Sequence, residues 1–66
     1  MPRERPITLE GLLLLDGRQL ILQTPEDAQW RLLALGRHDR LLGRRVRVEG
    51  ARQGHDLVAV DRIDPA

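Results

Sequence analysis

The chain has 66 residues, a net charge of +1 from 11 basic residues, all arginine, against 10 acidic ones, and no cysteine. That length admits one domain around one small core. The absence of cysteine excludes disulfides and thiolate metal sites, and the near-balanced charge excludes whole-molecule steering onto a polyanion.

The opening Met1-Pro2-Arg3-Glu4-Arg5-Pro6 is charged and twice broken by proline. We read residues 1–5 as a disordered tail on a single domain spanning 1–66. The apolar run that follows is too short and interrupted for a signal peptide or a membrane span, so a cytoplasmic location without membrane contact is the expectation.

From Pro6 to Leu15 the chain is strand-like and ends at Asp16-Gly17, the strongest hairpin signal present. Gly11 inside this run predicts a bulge or sharp bend, which a small closed barrel needs where a strand turns a corner. A second strand, Arg18 to Thr24, alternates Gln19, Ile21 and Gln23 against Leu20 and Leu22. Pro25-Glu26-Asp27-Ala28 reads as a turn. A third strand, Gln29 to Leu35, puts Trp30, Leu32 and Ala34 on one face.

Arg37 to Gly43 has room for one or two helical turns, with Leu41 and Leu42 to pack inward and Gly43 as a C-terminal cap. Arg44 to Gly50 returns to alternation, Val46 and Val48 against Arg45, Arg47 and Glu49. A turn over 50–54 leads into a fifth strand, His55 to Ile63, which ends at Asp64-Pro65. Its turn length leaves two options for the core face, Leu57 with Ala59 or Val58 with Val60.

Three meandering strands, a short helix and a final hairpin give the element order of an all-β, five-stranded OB-like Greek-key barrel. The alternative is an SH3-like barrel, which wants its helical turn before the last strand.

If Asp16-Gly17 is a two-residue loop, Leu13 lies opposite Leu20 and Leu12 opposite Ile21. One face of the hairpin then carries Leu13, Leu15, Leu20 and Leu22. The other carries Glu10, Leu12, Leu14, Gln19, Ile21 and Gln23, and its glutamines mark it as outward. A loop longer by one residue still leaves Ile21 outside with two leucines of the first strand. With Leu33 added, the outer face of strands one to three presents Leu12, Leu14, Ile21 and Leu33. Such a patch marks association, unless the N-terminal tail or the helix leucines cover it.

Little in the chain carries chemistry. It has neither Ser nor Cys, and Thr8 and Thr24 have no readable base beside them, which leaves no nucleophile for acyl transfer. His38-Asp39 and His55-Asp56 lack metal-ligand spacing and read as solvated turn residues. Glu26-Asp27 sits in a turn. Gly36, Gly43, Gly50 and Gly54 punctuate element ends and form no phosphate loop. We expect no catalytic residue, no cofactor and no metal. Arg44, Arg45, Arg47 and Arg52 on the last hairpin offer a phosphate-binding surface. No Phe or Tyr is present to stack bases, and Trp30 reads as core.

The stretch from Leu41-Leu42-Gly43-Arg44-Arg45-Val46-Arg47-Val48-Glu49-Gly50 to Ala51-Arg52-Gln53-Gly54-His55-Asp56-Leu57 resembles the C-terminal half of a family of short bacterial proteins whose domain has no assigned function. Leu9-Glu10-Gly11 and Trp30-Arg31-Leu32 are similar to that family's looser N-terminal half. The resemblance implies a small OB-like barrel and carries over no activity, substrate or catalytic residue. His55 departs from it, standing where the family often has an aromatic. A broader likeness is to bacterial OB-fold proteins of the periplasm, whose secretion signals this chain does not show.

The expectation from sequence is thus a non-enzymatic binding or assembly module that forms a homodimer, or meets another protein, through Leu12, Leu14, Ile21 and Leu33. The second expectation is weak, sequence-indifferent nucleic-acid binding through Arg44, Arg45, Arg47 and Arg52.

Overall fold

The alternations in the sequence become five strands in the computed structural model, which describes residues 6–36 and 38–66. The expected tail over residues 1–5 lies outside the described residues, as does Arg37, the first residue of the expected helix. The strands are β1 (Pro6–Asp16), β2 (Gln19–Gln23), β3 (Gln29–Leu33), β4 (Arg45–Arg52) and β5 (Leu57–Pro65). They close into a barrel in the order β1-β2-β3-β5-β4. The pair β3–β5 is parallel and every other neighbouring pair is antiparallel.

Closure depends on β1 serving two partners. Leu12 to Asp16 pair with β2, while Pro6 to Leu12 pair with β4. The handover falls at Gly11 and Leu12, the bend that an interior glycine foretold. A second corner lies in β5, whose register with β4 shifts opposite Glu49 and Gly50 and leaves Asp61 as an extra residue. An inserted residue of this kind bends the strand and increases its twist.

Inside, six of the described residues form the buried hydrophobic core: Leu13, Leu22, Leu32, Val46, Val48 and Val58. Each such side chain contributes roughly 1.5–3 kcal/mol on burial, so a core of this size supports only a modest stability. Ile7, Leu9, Leu20, Trp30, Leu41, Leu42, Val60 and Ile63 pack around it.

The structure corrects the first-hairpin register. Leu13 pairs with Leu22 and Leu12 with Gln23, where Leu20 and Ile21 were expected. The loop is Gly17-Arg18, closed by the Asp16–Gln19 pair, and Gly17 takes φ +63°. A glycine at the first loop position is what a type II′ turn requires, whereas the expected Asp-Gly loop puts it second. The shift is two residues, so both faces keep their members. In β5 the core face is settled as Val58 and Val60, because Val58 pairs with Leu32 and is fully buried.

The expected one or two helical turns reduce to a three-residue 3-10 helix, Asp39–Leu41. No side chain caps its start, and Leu42 already has extended backbone. Leu41 and Leu42 still pack on the core, so these leucines do not cover the outer patch. No helix among the described residues is long and apolar enough to cross a membrane.

Candidate functional site

The outer wall over β1, β2 and β3 is best read in cross-strand rows. Leu12 has Gln23 on one side and Arg45 on the other. Leu14 stands opposite Ile21, which in turn neighbours Arg31 and then Leu57. Asp16 stands opposite Gln19 at the hairpin end. Alternation puts all these side chains outside, because the intervening Leu13, Leu22, Leu32 and Val58 are the core.

The four residues singled out from sequence therefore share one face. Leu12 and Leu33 are 45% and 50% exposed. Leu14 and Ile21 are half-buried against their neighbours, and none of the four is among the residues packed on the core. Leu14 and Ile21 form the centre, with Leu12 and Leu33 on flanking rows. Gln19 and Gln23, the glutamines that mark this face as outward, interrupt the apolar surface, and so does Arg31, which the β2–β3 register sets beside Ile21.

Two of these polar residues are held in place. Gln19 donates its side-chain N–H to the Leu32 carbonyl at 2.9 Å and to its neighbour Leu20 at 3.0 Å. Arg31 bridges to Asp56 at 2.9 Å, and its backbone N–H also bonds the Asp56 carbonyl at 2.7 Å. The Arg31 hydrogen bond holds the Asp56 carboxyl below the ordinary aspartate range. Arg31 lies on β3 and Asp56 in the bend just before β5, so no local sequence signal links them; only the parallel β3–β5 register does.

The four arginines of the last hairpin do not form one stripe. Arg45 and Arg47 lie on the outer face of β4, with Glu10 directly across from Arg47. Arg47 donates from Nε at 3.1 Å and from Nη2 at 2.9 Å to one oxygen of Glu10, and that bond raises the Arg47 pKa above its ordinary value. Arg44 precedes β4, where its carbonyl accepts from the Leu13 N–H. Arg52 lies on the inward alternation of β4, shared with Val46 and Val48. Its guanidinium sits 5.4 Å from the Trp30 ring centre and donates to the carbonyls of Gly54 and His55. The acid that pairs with this hairpin is Glu10, from β1, whereas Asp56 pairs with Arg31 on β3.

Arg45 has no acidic partner among the described residues. It lines a concavity of about 310 Å³ with Gly11, Leu12, Gln23, Thr24 and Pro25, beside the β1 corner. His38 Nε2 is 3.2 Å from the Leu35 carbonyl, and His55 is exposed in the last hairpin loop. No group of three or more His, Cys, Asp or Glu suited to a metal occurs among the described residues.

A family model described as a protein of unknown function, DUF5818, matches residues 10–66. No curated protein and no solved structure matches the chain.

Proposed function

The chain belongs to this family of unknown function, DUF5818, and from that premise we propose that it is a non-enzymatic OB-like assembly module that self-associates through the outer face of β1–β3. The strand order β1-β2-β3-β5-β4, with β3 parallel to β5, supports the OB-like Greek-key reading. The 3-10 helix precedes β4 rather than β5, which counts against the SH3-like alternative.

The observation that carries the functional reading is the Leu14–Ile21 pair. Two large aliphatic side chains stand directly opposite each other on the outside of the barrel, flanked by Leu12 and Leu33, and none packs on the core. An apolar face on a 66-residue chain with a six-residue core gains stability for the whole fold when a second copy covers it. Nucleic-acid binding through the last hairpin is the weaker reading, since Arg47 and Arg52 are engaged within the chain and Trp30 packs on the core.

Ile21→Asp tests the proposal. It should leave the far-ultraviolet circular dichroism of the barrel unchanged and convert the associated species to monomer by light-scattering chromatography. An unfolded variant would make Ile21 a core residue, and an unchanged mass would remove this face from the interface.

A further inference from the structure

The apolar centre of the outer face is narrow. A standard interface takes roughly 800 Å² from each partner, a substantial share of a chain whose total accessible surface is 5143 Å². Four aliphatic side chains, each half-exposed or less, fall well short of it. The convex wall of a barrel also meets a copy of itself along one strip only. The polar rows on either side of Leu14–Ile21 must then lie inside the contact and decide its orientation.

Those rows carry opposite charge. On one side of Leu14, two residues along β1, the Leu12 row ends in Arg45. On the other side, again two residues along, stands Asp16. Neither side chain has an ion-pair partner among the described residues, although Arg31, Arg47 and Arg62 are each paired within the chain. Each row is about 7 Å from the Leu14 row, given a rise of about 3.4 Å per residue.

We propose that two copies stack these faces about a twofold axis that crosses the strands at the Leu14–Ile21 row, so that Arg45 of each copy pairs with Asp16 of the other. Such an axis reverses the strand direction, which lays the Leu12 row over the partner's Asp16 row. It keeps the β4 side over the β4 side, so Arg45 is offset from Asp16 of the partner subunit by one strand spacing, about 4.8 Å. A self-complementary patch of this kind closes as a dimer and does not propagate. The stack with the axis along the strands would instead bring each Arg45 row over its own copy, with no acid facing it. This inference rests on the self-association proposed above and adds its geometry.

Charge reversal separates the two ideas. Arg45→Asp and Asp16→Arg should each weaken the dimer by roughly tenfold or more, because each creates like-charge contacts twice per dimer. The double variant should restore the affinity to within roughly threefold of the original. Circular dichroism on each variant confirms the fold, and Arg45→Gln provides the uncharged comparison. If the single reversals leave the mass profile unchanged while Ile21→Asp dissociates the dimer, the Arg45–Asp16 pairing is overturned and the apolar reading stands. If the double variant stays as weak as the singles, the pairing is likewise overturned. An unmodified chain that is monomeric at every concentration overturns both.

Discussion

Gly11 lies so close to Gln23 that a Cβ built on it would sit 2.2 Å from the Gln23 carbonyl oxygen. The obstacle is backbone, on the strand that β1 is leaving, so it cannot swing aside as a side chain would. The barrel turns its first corner where only a residue without a side chain fits.

Gly11→Ala should therefore destabilise the fold by about 1–3 kcal/mol or more, the range for forced overpacking. Gly54→Ala is the control, since a Cβ there meets only Leu57 Cβ at an ordinary 3.8 Å. Urea unfolding of the two variants measures the contrast. Equal midpoints would mean that β1 bends elsewhere.

Arg52 covers Trp30 at the end of the barrel where the β4–β5 loop lies. Arg52→Ala removes a cation–π contact worth about 0.5–1 kcal/mol at a site of this exposure, together with two hydrogen bonds to loop carbonyls. Trp30 is the chain's one tryptophan, so its fluorescence reports the change without interference. We expect a red-shifted emission and a small loss of stability. An unchanged spectrum would show that the guanidinium does not shield the ring in solution.

The Arg31–Asp56 pair makes a prediction about acid. Its carboxyl titrates below the ordinary aspartate value in the folded chain, so its contribution to stability is complete above the unfolded-state pKa, about 4. That contribution is lost as the pH falls through the lower folded value. The pair is solvent-exposed, which makes the effect small. The carboxyl carbon of Asp56, followed by NMR through an acid titration, should show the depressed midpoint, and Arg31→Gln should return it to the ordinary range. A normal midpoint in the unaltered chain would rule the bridge out.

Much of this architecture can be read from local alternation. The glutamines of β2 and the valines of β4 mark their faces directly, and parity survives a two-residue register error, so the outward set Leu12, Leu14, Ile21 and Leu33 is unaffected by the misplaced loop. The loop itself is not legible locally, because Asp16-Gly17 satisfies a type I′ rule while the chain uses Gly17 at the first position of its turn. The core face of β5 was undecidable from its own sequence, since both Leu57/Ala59 and Val58/Val60 are apolar. The parallel pairing of Leu32 with Val58 decides it, and that contact spans most of the last half of the chain. Long-range ion pairs were the least legible feature. Glu10 and Arg47 stand 37 residues apart, and only barrel closure makes them neighbours.

Self-association through the outer Leu14–Ile21 face shows itself first in the size of the protein in solution. The most direct test is the solution mass of the unaltered protein by light-scattering chromatography, across protein concentration and at low and moderate salt. An interface at this face gives a concentration-dependent dimer that weakens as salt screens the flanking charges. A monomer at every concentration would contradict it.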